Sequence, residues 1–523
     1  MNTNRHNRFD IISQTLLAAL LILLTLMVLE QGNPGTRLPR RDSGAFLYIG
    51  DQILHGKLPY RDAWDSKPPA IFFINAVALV IGHGSRWGLW MIEFISLFAA
   101  GIFSYLSVKK LWGTLPAIGA LILWFIGLSL TLEGGNFTEE YPLSLHFFSF
   151  ILFLKLLQEP KNRLYSFLLG LAFSISFLFR PNNAVVEAVI LLTFFLLQIM
   201  QRNWRVLFTQ ILWTGFGILL PILLTGFYFW RKGILWESVE ASIFYNFTYS
   251  NTAITTTSPL VAGFRIFGWL AWIATAGYLL ALYYALTLKQ PIYFLLLIGW
   301  PLTIYMSDLA KRNYPHYFIN WLPFLCLLSG LTLHLLTSRL SARIKRPLLW
   351  ERIALGTSVV GAFAFFLIGG HTIEYEKAIQ RIANRDAIGI EIRTRTAAYV
   401  ENHTQPGDLV LFWAASPGEN FMSNRATPSA SLFYPLYLRS NIAKQLSDQF
   451  LQDVESTHPI LIVDLGDEES LSLDPKQRTQ QLADGFAWEY PPDNLDKFFQ
   501  FVEQNYYLEA KLGKRTIYRL HQP

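Results

Sequence analysis

The sequence predicts a polytopic α-helical membrane protein with about 11 transmembrane helices, additional interfacial helices and a small extracytoplasmic α/β domain at its C-terminal end. Hydrophobic residues make up 52% of the 523 residues and charged residues only 15%, which is far from the composition of soluble proteins. Apolar runs recur from residue 11 to about residue 371 and then stop. The cationic residues cluster at the ends of these runs, where they orient membrane helices.

The apolar runs give the predicted membrane spans. Several are short for a hydrocarbon core of about 30 Å, which needs about 20 helical residues, so their boundaries are approximate. The run 69–82 is shorter still and suits a helix that lies in the membrane interface. The predicted spans are 11–29, 87–108, 115–132, 141–157, 164–180, 184–200, 207–229, 263–287, 291–308, 316–338 and 351–371.

The distribution of Lys and Arg predicts the orientation. If 69–82 does not cross, a coherent basic set lies in the cytoplasmic loops, as the positive-inside rule requires. This set consists of Lys109, Lys110, Lys161, Arg163, Arg202, Arg205, Lys289, Arg339, Arg343, Lys345, Arg346 and Arg352. The N-terminus is then cytoplasmic and the C-terminal segment extracytoplasmic. We interpret 11–29 as an uncleaved helix, because no cleavage site of the Ala-x-Ala type follows it.

The composition changes after residue 371 to that of a small α/β domain. The chain is thus predicted to consist of a transmembrane module, 1–371, and an extracytoplasmic domain, 372–523. The predicted elements of this domain are an amphipathic helix at Arg381–Glu401, buried strands at Asp408–Trp413 and Pro459–Asp464, a helix at Asn494–Gln504, and a hairpin over Tyr506–Leu520.

Several function classes are disfavoured. The net charge of +6 does not predict nucleic-acid binding, because the basic residues are those that orient the helices. The sequence has no Walker motif or glycine-rich nucleotide loop, and no internal repeat of the kind found in secondary transporters. The single cysteine, Cys326, lies in an apolar run and has no partner for an intrachain disulfide.

The first outer loop, 30–86, is dense in Asp, Arg, Lys and Tyr next to the membrane, which indicates a site more than a connector. Its pattern is Asp42…Gly56-x-x-Pro59-Tyr60-x-Asp62-x-x-Asp65-x-Lys67-Pro68-Pro69. This pattern resembles the first extracytoplasmic loop of GT-C-fold glycosyltransferases. The similar branch includes the bacterial protein O-mannosyltransferases and the lipid A aminoarabinose transferases.

The resemblance implies an enzyme of the bacterial inner membrane. Such enzymes take a sugar from a polyprenyl-phosphate carrier and transfer it to a glycan, lipid or protein acceptor outside the cytoplasm. The activated sugar arrives in the membrane, which accounts for the missing nucleotide motif. The resemblance covers most of the chain, weakly in the middle, and includes the segment 397–437.

The resemblance gives chemical roles to Asp42 and Lys67. An Asp at this place activates the acceptor, whose hydroxyl must lose its proton as it attacks the anomeric carbon. The Lys of the Lys-Pro-Pro element meets the phosphate of the carrier, whose charge grows as the sugar–oxygen bond breaks. Two alternatives stay open: Asp42 as the cap of a helix over 43–54, and Lys67 as an anchor to lipid headgroups.

Tyr60, Asp62 and Asp65 are predicted to bind substrate. The aminoarabinose transferases have an acid directly before the Lys, and this chain has Ser66 there. No metal contact or carboxylate role is therefore assigned to that position.

The second outer loop, 133–140, carries the second acid that is common in GT-C enzymes. Glu139 and Glu140 are adjacent and point in different directions, so we assign Glu139 to catalysis and Glu140 to substrate binding. The alternative is a helix over 139–157 that Thr138 caps, with the acids in its first turn.

Arg180, Arg312 and His316 are predicted to bind the donor phosphate, and Tyr314 the substrate. Arg180-Pro181 ends a helix on the outer side, and the Arg312-x-Tyr-Pro-His-Tyr pattern resembles a late loop that closes over the donor in these transferases. Arg forms paired hydrogen bonds to phosphate. The alternatives are a helix terminator at Arg180 and an interface belt of cations and aromatic rings at 311–317.

No cofactor is predicted with certainty. Asp42 and Glu139 could hold a divalent cation, although several relatives work without one, and no His, Cys or Asp cluster has metal-ligand spacing. Two other functions stay open. A transporter or flippase of lipid-linked sugars would need charges deep in its helices, where Glu93 and Glu187 are candidates. A non-catalytic envelope assembly protein would keep the fold without the chemistry.

Overall fold

A computed structural model gives the fold. It describes residues 3–250, 257–309, 312–341, 347–384, 390–434, 440–466, 470–486 and 491–521. The protein divides into two compact units, each discontinuous in sequence. Unit 1 contains 1–35, 90–228 and 253–383, and unit 2 contains 36–89, 229–252 and 384–523.

Most of the chain before residue 385 is helical. In chain order the α-helices are α1 (Thr3–Leu29), α2 (Arg41–Leu54), α3 (Ala70–Ile81), α4 (Trp87–Trp112), α5 (Thr114–Ser129), α6 (Pro142–Gln158), α7 (Arg163–Phe179), α8 (Val185–Met200), α9 (Trp204–Arg231), α10 (Leu235–Val239), α11 (Tyr245–Ser250), α12 (Pro259–Phe267), α13 (Trp269–Thr287), α14 (Pro291–Ser307), α15 (Leu322–Ser341), α16 (Pro347–Ile368) and α17 (His371–Asn384). Short 3-10 or π-helical turns precede α8, α11 and α15.

Each predicted span coincides with helix. Among the described residues, seven helical segments are long and apolar enough to cross a membrane, and five shorter apolar helices accompany them. The predicted run 263–287 is broken between α12 and α13 at Gly268, whose φ of 53° ends the first helix. The run 69–82 forms α3, which has only 12 residues. The chain is therefore a multi-pass membrane protein, and the number of 11 crossings stays a prediction.

Unit 1 is held together by one apolar core. Trp124 and Trp321 are among its largest fully buried side chains. Helices also approach closely where glycines remove side chains: a Cβ on Gly170 of α7 would lie 2.2 Å from the Thr214 carbonyl oxygen of α9, and Gly217 faces Gly170. Small residues of this kind let membrane helices pack backbone to backbone.

Unit 2 contains the predicted α/β segment. Its strands are β1 (Val410–Trp413), β2 (Leu461–Asp464), β3 (Tyr506–Leu512) and β4 (Arg515–Leu520), in the sheet order β1-β2-β4-β3. β1 and β2 are parallel, and β4 is antiparallel to both β2 and β3. Its helices are α18 (Arg395–His403), α19 (Pro417–Ser423), α20 (Asn441–Thr457), α21 (Pro475–Ala483) and α22 (Leu495–Asn505).

The predicted strands, terminal hairpin and last helix are confirmed. β1 and β2 are fully buried, as their apolar runs indicated. The single helix predicted over Arg381–Glu401 is wrong. α17 ends at Asn384, and α18 begins at Arg395, where the Thr394 hydroxyl accepts a hydrogen bond from the Ala397 amide at 2.9 Å. A cap of this type starts a new helix.

The first loop folds as part of unit 2 with the C-terminal segment. The Arg86 guanidinium makes a buried 2.6 Å ion pair with Glu391, which is 305 residues away, and donates to the Ile392 carbonyl at 3.0 Å. Gly44 of α2 packs so closely on Gly418 that a Cβ would lie 2.8 Å from the Gly418 Cα. The C-terminal segment therefore holds the helix on which Asp42 lies.

Candidate functional site

Asp42 lies in the first turn of α2, where the helix dipole favours a carboxylate. The helix begins at Arg41 with Arg40 as its N-cap, so the alternative that Asp42 caps this helix is wrong. The Asp42 carboxylate is partly exposed and makes no hydrogen bond or ion pair with any residue that the structure describes. Its oxygens are therefore available to accept a hydrogen bond from a ligand.

The turn from Leu58 to Lys67 uses three of the predicted substrate-binding side chains to hold its own shape. The Tyr60 hydroxyl donates to the Lys67 carbonyl at 2.9 Å, and the Asp65 carboxylate accepts the Lys67 amide at 2.9 Å. The Asp62 carboxylate accepts the Leu58 amide at 2.8 Å. These side chains fix the backbone around Lys67, which is a positioning role.

The turn that carries Lys67 is also held by contacts from Tyr245 and Asn246. The side-chain amide of Asn246 donates to the Ser66 carbonyl at 2.8 Å, and the ring of Tyr245 packs edge-on against Trp64 at 4.9 Å. Lys67 itself is half-buried, and within the described part of the chain its ammonium group has no ion-pair partner. Sequence patterns missed Asn246, because it is 180 residues from Ser66.

Asp65 has an unusual carboxyl group. Its pKa is raised from 3.8 to about 6: burial is the largest cause, the charge of Lys67 opposes the rise, and the charge of Asp42 adds to it. Because the charges of Asp42 and Lys67 both act on the Asp65 carboxyl group, we group these three residues with Tyr60 and Asp62 as the first-loop group.

Unit 1 carries the second set of predicted residues, and its centre is an ion pair. The Arg180 guanidinium contacts the carboxylate of Glu139, which is only 1% exposed, and the Thr138 hydroxyl donates to the same carboxylate at 2.8 Å. The Arg180 guanidinium also lies 3.9 Å from the centre of the Tyr317 ring. Glu139 and Arg180 therefore form an ion pair with each other, whereas Asp42 and Lys67 form none with a described residue.

The backbone around this pair is braced by amide side chains. Arg180 is the C-cap of α7 in an extended conformation, and Pro181 begins the next turn, as expected for a residue that terminates a helix. Asn183 donates to the Thr138 carbonyl at 2.8 Å and accepts from Asn320 at 2.9 Å. These bonds hold three separate loops of unit 1 in one arrangement.

Arg312 and His316 lie on the late loop. The Asp308 carboxylate accepts the Arg312 and Asn313 amides at 3.0 and 2.8 Å, which shapes the turn. The His316 ring stacks on Phe137 at 4.1 Å and is parallel to the Tyr314 ring at 5.8 Å. We call Glu139, Arg180, Arg312, Tyr314 and His316 the ion-pair group. Lys311, which precedes Arg312 in the sequence, lies outside the described residues.

Glu140 is turned away from Glu139 and is fully buried. Its carboxylate and that of Glu93 in α4 both accept the Asn136 amide, at 2.9 and 2.5 Å. The alternative of a helix over 139–157 capped by Thr138 is wrong, because α6 begins at Pro142 with Tyr141 as its N-cap. Glu187, the other acid considered deep in a helix, lies 2.9 Å from the His146 imidazole.

No group of three or more His, Cys, Asp and Glu side chains with metal-binding geometry occurs among the described residues. Cys326 is buried. The structure thus offers carboxylates, cations and aromatic rings as its chemical groups.

Comparisons with known proteins agree with this architecture. Similar solved structures include ArnT from Cupriavidus metallidurans bound to undecaprenyl phosphate, with 13% identity, a TM-score of 0.59 and coverage of 95% of this chain and 97% of that chain. Apo ArnT gives a TM-score of 0.58 at the same identity and coverage. The Archaeoglobus fulgidus oligosaccharyltransferase tethered to an acceptor peptide has 15% identity, 88% and 69% coverage, and a TM-score of 0.49.

The ArnT structures share the GT-C fold, so the predicted fold is confirmed. The sequence matches no curated protein. The model of the family described as "Putative competence-induced protein Ccs4 N-terminal domain" matches residues 3–363. Since this match covers more than half of the chain, the protein belongs to the competence-induced Ccs4 family.

Proposed function

We propose that this protein is a membrane glycosyltransferase that moves a sugar from a polyprenyl-phosphate donor to a glycan, lipid or protein acceptor outside the cytoplasm. The observation that carries the proposal is the state of the first-loop group. Tyr60, Asp62 and Asp65 hold the turn, while the Asp42 carboxylate and the Lys67 ammonium group form no hydrogen bond or ion pair with a described residue. In support, ArnT has the same fold and was crystallised with undecaprenyl phosphate.

In the proposed reaction Asp42 accepts the proton of the acceptor hydroxyl while its oxygen attacks the anomeric carbon of the sugar. The bond between that carbon and the phosphate oxygen breaks, and polyprenyl phosphate leaves with the bonding electrons. Lys67 stabilises the negative charge that grows on the phosphate. Because Lys67 is half-buried, its attraction for that charge is stronger than it would be in bulk water.

We assign the ion-pair group to substrate binding and catalysis as well. Arg180, Arg312 and His316 would bind phosphate, Tyr314 would contact the sugar, and Glu139 would be the second acid, acting through its contact with Arg180. A guanidinium that already contacts a carboxylate is held in one orientation, which lowers the entropic cost of binding a phosphate. The displacement is either metal-independent or metal-assisted, and transfer in EDTA distinguishes the two.

The test is transfer of radiolabelled sugar from a panel of polyprenyl-phosphate sugars to a native membrane extract, with and without EDTA. Wild type and the Asp42→Asn variant are compared, with Asp51→Asn on the same helix as the matched control. Removal of a general base lowers transfer by about 10²–10⁴-fold, whereas the control should stay within about twofold of wild type.

The outcomes separate the competing functions. Equal transfer by Asp42→Asn and wild type would remove Asp42 from the mechanism and direct attention to Glu139. Donor binding without transfer from any donor would instead support a lipid-linked sugar transporter or an assembly protein. Loss of wild-type transfer in EDTA would indicate a metal-assisted displacement.

The proposed orientation places the first loop outside the cytoplasm of a bacterial inner membrane and the N-terminus inside. Lys57 is exposed on this loop, and the native cysteine, Cys326, is buried. A Lys57→Cys variant in intact spheroplasts should react with a membrane-impermeant maleimide. Labelling that requires permeabilised cells would reverse the orientation.

A further inference from the structure

The loop that carries Glu139 begins with a strained turn. Four consecutive residues, Glu133 to Asn136, have positive φ angles of 47°, 104°, 81° and 61°. Glu133 and Asn136 are not glycines: Asn tolerates this conformation better than most residues, whereas for Glu133 it is unfavourable unless surrounding contacts hold it. The turn therefore depends on the bonds that hold it.

The strongest of these bonds converge on one backbone amide. The Asn136 N–H lies 2.5 Å from Glu93 Oε1 and 2.9 Å from Glu140 Oε2, so the two carboxylate oxygens are no more than about 5.4 Å apart. Glu93 also presses on the turn directly, since a Cβ on Gly135 would lie 2.5 Å from Glu93 Oε1. The Tyr141 hydroxyl completes the clamp by donating to Asn136 Oδ1 at 2.9 Å.

Two carboxylates this close cannot both be ionised in a buried place without a compensating cation. Among the described residues, neither acid has an ion-pair partner, and the titratable side chain facing them is Tyr141. Oε1 of Glu140 is buried and lacks a partner in the described part of the chain, which is costly for an ionised carboxylate. Burial accordingly raises the pKa of Glu140.

We infer that Glu93 and Glu140 share a single proton, and that this neutralised pair clamps the 133–136 turn and so positions Glu139. Glu93 and Glu140 are positioning residues, because neither touches the substrate in the proposed reaction. The link to Glu139 is short: Thr138 donates to it at 2.8 Å, and the Glu140 amide donates to the Phe137 carbonyl at 3.1 Å.

The proton dependence has a definite sign. The clamp is intact while the pair holds its proton and fails as pH rises and the second carboxyl group ionises, because the two charges then repel each other. The turn would open, and Glu139 would lose its position. A glutamine at either place replaces the shared proton by an uncharged amide and should make the clamp insensitive to alkaline pH.

The first test does not depend on the proposed function. Infrared spectra of the purified protein at pH 7 should show a protonated-carboxyl C=O band that loses the same area in Glu93→Gln and in Glu140→Gln, with no further loss in the double variant. Glu133→Gln, a half-exposed acid of the same loop, is the control and should leave the band unchanged. No loss in either single variant, or a doubled loss in the double variant, would overturn the shared proton.

The second test rests on the proposed function. Wild-type transfer should fall by about tenfold per pH unit above the upper pKa of the pair, and this alkaline limb should be absent in Glu93→Gln. A uniform fall in Glu93→Gln at every pH would show a merely structural role and overturn the proton-dependent clamp. If wild type transfers no sugar at all, the proposed function fails while the infrared result still decides the proton.

Discussion

In the first-loop group, Asp42 and Lys67 form no ion pair with a described residue, whereas in the ion-pair group Glu139 and Arg180 pair with each other. The difference follows from burial. Asp42 and Lys67 are partly exposed and are solvated by water, while the Glu139 side chain is 1% exposed and would be costly to leave alone. The first-loop charges therefore stay accessible to solvent, whereas the ion pair contributes to the fold.

Arg180→Met should have the largest effect, and it should fall on stability. Removing the cation leaves the Glu139 carboxylate buried and unpaired, so the free energy of unfolding should fall by about 3–5 kcal/mol. Thermal unfolding of the detergent-solubilised protein measures the loss. The Arg180→Met/Glu139→Gln double variant should recover part of it, because it no longer buries a lone charge.

Lys67→Met is the matched control for the effect of Arg180→Met on stability. At pH 5, below the pKa of about 6 of Asp65, this buried carboxyl group is mostly protonated and has little charge for Lys67 to stabilise, so loss of the partly exposed cation should change the free energy of unfolding by no more than about 0.5 kcal/mol. If Arg180→Met and Lys67→Met unfold at the same temperature, the contrast between the two groups fails.

The second prediction concerns Asp65, whose folded pKa of about 6 exceeds the unfolded value of 3.8. The folded protein thus binds the proton more tightly than the unfolded chain. This extra stability is fully present below pH 3.8 and is lost as pH rises through about 6, and it is on the order of 3 kcal/mol. The difference in stability between wild type and Asp65→Asn should follow this course.

The Asn side chain in this variant can still accept the Lys67 amide, so the turn should persist. The slope of the wild-type-minus-variant difference isolates Asp65 from the other acids that titrate in the same range. A difference that is constant from pH 4 to pH 7 would mean that Asp65 is not buried as the structure shows.

Patterns of local sequence predicted the helices and strands well, because hydrophobic periodicity is decided by neighbours in the chain. They also placed the charged loops, with Arg180 at a helix end and Glu139 and Glu140 pointing apart. The domain boundary at 371/372 and the substrate roles of the first-loop and ion-pair groups stay predictions.

Long-range partners were beyond the sequence. Nothing near Arg86 indicates Glu391, and nothing near Ser66 indicates Asn246, because such contacts are created only when distant segments fold together. The sequence also did not indicate which charged side chains form ion pairs. The sequence predicts the same phosphate-binding role for Lys67 and Arg180, yet within the described ranges Arg180 has an ion-pair partner and Lys67 has none.

Lys67→Met should also change the kinetics of sugar transfer. A hydrogen bond to a charged phosphate contributes about 1.5–3 kcal/mol, so the KM for the polyprenyl-phosphate donor should rise by about 10–150-fold. The kcat should fall as well, because Lys67 also stabilises the charge that grows on the phosphate during the reaction. Lys57→Met, which removes an exposed cation from the same loop, is the control and should leave this KM unchanged. An equal effect of both variants would reduce Lys67 to a contributor to the surface charge of the loop.

Tyr60→Phe should give the smallest effect, and it tests whether the turn acts through Lys67. The variant removes the 2.9 Å hydrogen bond to the Lys67 carbonyl, which contributes about 1 kcal/mol, so the donor KM should rise by about fivefold. In a Lys67→Met background the same change should have no further effect on KM, because the cation that the turn positions is gone. Tyr48→Phe, whose hydroxyl instead accepts the Thr427 amide at 3.0 Å, is the control, and any effect that it has should be the same in both backgrounds. Full additivity of Tyr60→Phe with Lys67→Met would mean that Tyr60 contacts the substrate itself, as its sequence position first indicated.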